Sequence, residues 1–189
     1  TGHGVPGALM TMAVNLALHH IVDQNQPEPA EILAELNRQI KAALHRNDSG
    51  EMTDDGLDIG ICRIDRNQRL VFAGAKISLY IGRENEVTRI KGDSKSVGYR
   101  RSADTLAFDA HEWTIRPGDR FYMTTDGYVD QNGGEKDLPF GRNRLSEVIA
   151  SQGGVGLADQ ETAFAAALRD YMHGEPQRDD ITIVGFTVS

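Results

Sequence analysis

The order of periodic segments constrains this fold more than any single motif does. Two helical patterns open the chain, short strand patterns fill its middle, two more helical patterns follow, and a strand pattern closes it. Ala8 begins an apolar helical stretch in which Leu9, Met12, Ala13, Leu16 and Ala17 share a face, broken at Asn25-Gln26-Pro27. A second helix is expected from about Glu28 to Leu44. Pro29 is tolerated in its first turn, and Ile32, Leu33, Leu36, Ile40 and Leu44 form its stripe. Alternation then predicts strands over 57–64, 69–73, 78–81, 86–90, 106–111 and 120–125, with turns at Asn67, Gly74, Arg83-Glu84-Asn85 and Pro117-Gly118-Asp119. Helices over 141–149 and 157–172 and a strand over 181–188 complete the pattern. Strands that follow one another through short turns pair antiparallel. The class is therefore α+β with antiparallel sheets, not an alternating parallel fold. No internal repeat interrupts it.

A chain of 189 residues is long enough for one domain with a real hydrophobic core. Its 28 acidic residues outnumber 20 Lys and Arg, giving a formal charge of -8 at pH 7. That surface repels a nucleic-acid backbone, whereas a bound cation would relieve repulsion among carboxylates. The lone cysteine, Cys62, stands in the apolar run Ile59-Gly60-Ile61-Cys62 and reads as a small buried hydrophobe. A single cysteine forms no internal disulfide, and the composition suits a reducing compartment. No apolar stretch approaches the ~18 residues of a membrane span, and no secretory signal is present. The opening at Thr1, inside a glycine-rich turn, reads as the interior of a longer polypeptide.

Three acidic or glycine-rich segments carry the candidate chemistry. Asp126 follows the strand pattern 121–125 and precedes Gly127, so a rigid strand end and a tight turn present its carboxylate. Asp179 and Asp180 stand just before the closing strand. Adjacent residues on an extended chain point opposite ways, so one of them aims at a given cluster and the other braces the loop. Carboxylates mounted this way suit Mg2+ or Mn2+, and hydrolysis at phosphorus is the matching chemistry; the alternative is that they are ordinary turn acids. Gly2-His3-Gly4-Val5-Pro6-Gly7 leads into a helix whose first amides lack partners and could face an anion. His3 is either a proton donor or a turn residue. No Cys or His stands at zinc-ligand spacing from it. His19 and His20 read as surface, and Asp54, Asp55 and Asp58 form a further acidic group, facing either the same cleft or the surface.

Taken in order, these segments resemble the metal-dependent PPM/PP2C-type serine/threonine phosphatases, in their bacterial stage-II-sporulation-E-like branch. The resemblance rests on Thr1-Gly2-His3-Gly4-Val5-Pro6-Gly7-Ala8-Leu9-Met10, Asp54-Asp55-Gly56-Leu57-Asp58-Ile59 and Phe72-Ala73-Gly74-Ala75. It continues through Gly92-Asp93 with Val97-Gly98-Tyr99, Thr124-Thr125-Asp126-Gly127 and Arg178-Asp179-Asp180-Ile181-Thr182. The chain is also similar to the catalytic domain of membrane-sensor phosphatases.

The resemblance implies an αββα sandwich, two central antiparallel sheets flanked by helices. Residues 1–189 would form a single such domain, with its N-terminal strands and a bridging metal aspartate ahead of Thr1. It implies two or more Mn2+ or Mg2+ ions, held in this chain by Asp126 and Asp179. Gly2, Gly127 and Asp180 would support the metal site, and His3 is the candidate acid or phosphate contact. No side chain is assigned as a nucleophile: a metal-activated water would attack the phosphorus of phosphoserine or phosphothreonine. The implied partner is a phosphorylated signalling protein of the anti-sigma-antagonist kind, with homodimerisation through the first two helices as a further expectation. The domain would be cytoplasmic and its parent anchored in the inner membrane. The competing reading is a catalytically inactive PP2C-like module that binds a regulatory partner.

Overall fold

The computed structural model describes residues 4–25, 27–44 and 56–188. In chain order the elements are α1 (Gly4–Asn25), α2 (Pro29–Leu44), β1 (Ile59–Ile64), β2 (Arg69–Ala75), β3 (Leu79–Arg83), β4 (Glu86–Ile90), β5 (His111–Thr114) and β6 (Arg120–Thr124). Then come α3 (Asp126–Val129), β7 (Asn132–Gly133), β8 (Leu138–Pro139), α4 (Gly141–Ser151), α5 (Leu157–Met172) and β9 (Ile183–Thr187). The chain divides into two compact units, Thr1–Ile77 with Lys91–Thr114, and Ser78–Ile90 with Ile115–Ser189.

The first unit pairs α1 and α2 with a three-stranded antiparallel sheet in the order β1-β2-β5. The β1–β2 turn is built by Asp65, whose Oδ1 accepts from the amides of Asn67 (2.9 Å) and Arg69 (3.1 Å). A short acidic side chain of this kind substitutes for backbone partners in a tight turn. Ile32, Leu33, Leu36 and Ile40 of α2 are buried with Leu57, Ala73, Ala75, Val97 and Phe108. Asn37, fully buried on the same helix, accepts from the Gly98 amide and the Ser102 hydroxyl (both 3.0 Å) and donates to the Ala103 carbonyl (3.1 Å). This satisfied amide ties α2 to the 98–103 loop. Gly74 is required where β2 passes Ile77: a Cβ there would stand 2.2 Å from the Ile77 carbonyl oxygen.

α1 buries a face rotated from the expected one, sharing only Ala13 and Ala17 with it. Met10, Ala17 and Ile21 enter the core, with Ala13, Val14 and Leu18 partly buried against it, while Leu9, Met12 and Leu16 are 57%, 63% and 70% exposed. The helix is apolar on nearly every side, so periodicity marks it as a helix without choosing its inward face. The strand expected over 106–111 is also displaced, to His111–Thr114. Phe108 is instead buried in the core with Leu106 packed beside it, and the Asp109 amide donates to Asp93 Oδ2 (2.9 Å). Apolar alternation there reflects anchoring to the core rather than a ladder.

The second unit holds a four-stranded antiparallel sheet, β4-β3-β6-β9, with α3, α4 and α5 and the small β7–β8 hairpin. Its core joins Tyr80 and Tyr122 of the sheet to Tyr128, Phe140, Leu145, Ile149, Phe164 and Leu168. Buried Gln160 locks α5 in place, accepting from the Tyr122 hydroxyl and donating to the Val155 carbonyl (both 2.8 Å). Asp119, its side chain inaccessible to solvent, receives a two-pronged bond from Arg83 (2.7 and 2.9 Å) and the Arg116 amide (3.0 Å). That closes the turn entering β6.

Two antiparallel sheets, each with its own helices, establish the α+β class and the layer content of an αββα sandwich. No helix among the described residues is long and apolar enough to cross a membrane.

Candidate metal centre

β6 and β9 are neighbours, with Thr124 opposite Ile183. The end of β6 therefore meets the entry to β9, and the acidic corners predicted at 126 and 179–180 fall side by side. Two consecutive threonines fasten them. The Thr125 amide donates to the Thr182 carbonyl (3.1 Å) and the Thr182 amide donates back to Thr125 Oγ1 (3.0 Å). Thr125 Oγ1 in turn donates to the Asp180 carbonyl (3.0 Å), while Thr124 Oγ1 donates to the Thr182 carbonyl (3.1 Å).

Thr125, extended at φ -66 and ψ 161, precedes the single turn α3 that begins at Asp126. The turn closes through the Asp130 amide, which donates to the Asp126 carbonyl (2.8 Å). Its inner residues Gly127, Tyr128 and Val129 are buried, so the turn is seated in the core while Asp126 faces solvent. Tyr128 fixes the seat by donating to the Phe164 carbonyl (2.9 Å), and burial pushes its hydroxyl pKa up, keeping it a neutral donor. Gly127 touches the 179–180 segment: a Cβ built there would lie 2.5 Å from the Asp180 carbonyl oxygen and 3.3 Å from Asp179 Cβ. Only a residue without a side chain permits that approach.

The approach to Asp179 is an exposed segment, His173 to Asp180. Asp179 Oδ1 accepts from the Asp180 amide (2.7 Å), and the Asp179 carbonyl accepts from Gln177 Nε2 (2.7 Å). Gln131, buried to 1% exposure, reaches the same segment from the α3 side. Its contacts had no forewarning in the sequence, where a glutamine after a turn reads as surface. The two threonines, by contrast, stand inside the motif that marks Asp126.

Asp126, Asp179 and Asp180 are all exposed, and among the described residues none of them stands in an ion pair with Lys, Arg or His. Unneutralised hard-oxygen donors at a rigid strand end fit a divalent cation. Mg2+ commonly takes only one or two carboxylates and keeps its waters. Two donors from this unit suit that habit, although the described residues bring no three His, Cys, Asp or Glu side chains together as a metal-holding group. Gly2, His3, Asp54 and Asp55 lie outside the described residues. Asp58 is engaged within the first unit, where its carboxylate accepts from Ser96 Oγ (2.6 Å) and lies 3.9 Å from Lys76 Nζ.

The two antiparallel sheets with their helices match the fold of a PP2C-type phosphatase domain. The family model described as Stage II sporulation protein E (SpoIIE) matches residues 1–189, and the chain belongs to that family. It is similar to the SiaA-PP2C domain of Pseudomonas aeruginosa, at 36% identity and a TM-score of 0.85, covering 100% of this chain and 73% of that one. It also matches the phosphatase domain, with a fragment of the regulatory domain, of the cell fate determinant SpoIIE from Bacillus subtilis. There the identity is 20% and the TM-score 0.66, over 98% of this chain and 51% of the other. The catalytic domain of the serine/threonine phosphatase PstP, in complex with two manganese ions, matches at 17% identity and a TM-score of 0.65, covering 98% of this chain and 83% of that one. No curated protein matches.

Proposed function

We propose that this chain is the catalytic part of a metal-dependent protein-serine/threonine phosphatase. The observation that carries the reading is the seating of Gly127 against the Asp179–Asp180 segment, beside three exposed acids that form no ion pair with Lys, Arg or His among the described residues. Membership of the SpoIIE family and the likeness to a manganese-bound phosphatase support it.

In this reading Asp126 and Asp179 hold Mn2+ or Mg2+. Gly127 and Asp180 keep the two corners in register, with Gly2 supporting the site and His3 contacting phosphate or donating a proton. When bound, a pair of such ions supplies an acidified water as nucleophile and screens the charge of the phosphate ester. The chain's own part is to keep two carboxylates fixed and exposed at adjoining strand ends. The β6–β9 hydrogen bonds and the buried face of α3 do this. Without a cation held between them, these unpaired carboxylates would repel a phosphate dianion.

The substrate class we assign is a phosphorylated signalling protein of the anti-sigma-antagonist kind. The acidic chain acts in the cytoplasm, as part of a protein anchored in the inner membrane and able to dimerise. The test is phosphate release from phosphoserine and phosphothreonine proteins by the complete polypeptide. Chelation is expected to stop release and added Mn2+ or Mg2+ to restore it. Release that persists after thorough metal removal would overturn the reading. Failure to bind Mn2+ at all would leave the inactive binding module in its place.

A further inference from the structure

We propose that Gln131 is a positioning residue for Asp179. The inference rests on the metal-holding role assigned to Asp179 above.

Gln131 follows the α3 turn that starts at Asp126, and only 1% of it is exposed. Its backbone is held by the Phe140 amide, which donates to the Gln131 carbonyl (2.8 Å). Its side-chain amide points away from its own turn into the segment ahead of Asp179. Oε1 accepts from the Arg178 amide (3.0 Å), while Nε2 donates to the Pro176 carbonyl (3.0 Å) and the Asn132 carbonyl (3.1 Å).

This arrangement needs a primary amide. A glutamate supplies the acceptor but not the donor, and leucine supplies neither. The segment so held is otherwise poorly anchored, because every residue from His173 to Asp180 is exposed. Its remaining side-chain hydrogen bonds run from Gln177 to the Asp179 carbonyl, from Thr125 to the Asp180 carbonyl, and within Asp179-Asp180. Gln131 is thus the buried link between the turn carrying Asp126 and the backbone just before Asp179. It holds the backbone of two acidic corners that come from distant parts of the chain. Outer partners bonded directly to a metal ligand typically matter roughly 10–100-fold in metal affinity, and Gln131 acts one residue removed, through the Arg178 amide.

The experiment is Mn2+ titration of the complete polypeptide, read by electron paramagnetic resonance, for the wild type, Gln131→Leu and Asp179→Asn. Thermal unfolding without metal and turnover across Mn2+ concentrations are measured on the same samples. The expected result is that Q131L binds Mn2+ roughly 10–100-fold more weakly than wild type while still folding and unfolding cooperatively without metal, at a temperature lowered by the loss of its three hydrogen bonds. Excess Mn2+ should return most of its kcat, and D179N should not recover. Wild-type Mn2+ affinity in a folded Q131L protein overturns the proposal and leaves the phosphatase reading intact. Absence of Mn2+ binding by the wild type sinks both. Should Q131L not fold, Gln131→Asn is measured under the same criteria, since its stem is one methylene too short to span to Pro176 and Arg178.

Discussion

Gly127 and Asp180 approach so closely that the smallest side chain at 127 would stand 2.5 Å from the Asp180 carbonyl oxygen. Gly127→Ala must therefore push the 179–180 backbone outward or tilt α3. Overpacking of this kind costs about 1–3 kcal/mol. Denaturant unfolding should show that loss, and Mn2+ titration should show weakened binding, although no carboxylate has been removed. An unchanged Mn2+ affinity in G127A would mean that the spacing of the two corners is not what tunes the site.

Asp126→Asn and Asp179→Asn each remove one negative charge from an exposed position, and the asparagine oxygen at 179 can still accept from the Asp180 amide. Both proteins should fold with wild-type far-ultraviolet spectra. Both should lose Mn2+ affinity and turnover by at least about tenfold, the scale on which even residues behind metal ligands act. Calorimetric titration with Mn2+ reads this directly, and wild-type affinity in both variants would remove the two acids from the site.

Thr125→Val keeps the shape of the side chain but strips the hydroxyl that joins Asp180 to Thr182. A typical hydrogen bond contributes about 0.5–1.5 kcal/mol, and this hydroxyl makes two. The valine variant should be less stable by about 1–3 kcal/mol and bind Mn2+ more weakly. Thr125→Ser, which restores the hydroxyl, should recover both properties.

Cys62 is half-buried rather than the buried hydrophobe its sequence suggests, and this partial burial pushes its thiol pKa up to about 12 from an ordinary 9.0. Between those values the unfolded chain has given up the thiol proton while the folded chain still holds it. The folded state then binds more protons, so this group's contribution to stability falls as pH rises through the window and is level below it. A thiol reagent at roughly pH 8 should modify native Cys62 far more slowly than the unfolded chain. Cys62→Ala should flatten the alkaline decline in the denaturant midpoint.

The helices at 29–44 and 157–172 were legible because their apolar stripes are bounded by polar faces. Ile32, Leu33, Leu36 and Ile40 are buried as their spacing indicates, as are Phe164 and Leu168. α1 was legible as a helix but not in orientation, because Leu9, Met12 and Leu16 are as apolar as the residues that enter the core. At the candidate site, glycine beside aspartate marked the corners, since backbone approach and a short acid leave a local signature. The contacts of Gln131 with Pro176 and Arg178 left none. They depend on how the chain returns after two helices, which no spacing rule encodes.

The β6–β9 ladder has a consequence for how the molecule is made. The strands that mount Asp126 and Asp179 are adjacent in the sheet, yet all of α4 and α5 lies between them in the chain. Closing that loop costs chain entropy before any contact offsets it, and pairings of such sequence separation form late. A chain still emerging from the ribosome carries Asp126 on its turn long before Asp179 exists to face it. The acidic pair is thus a late product of folding. A cation that binds it would stabilise the finished domain by mass action without speeding its formation.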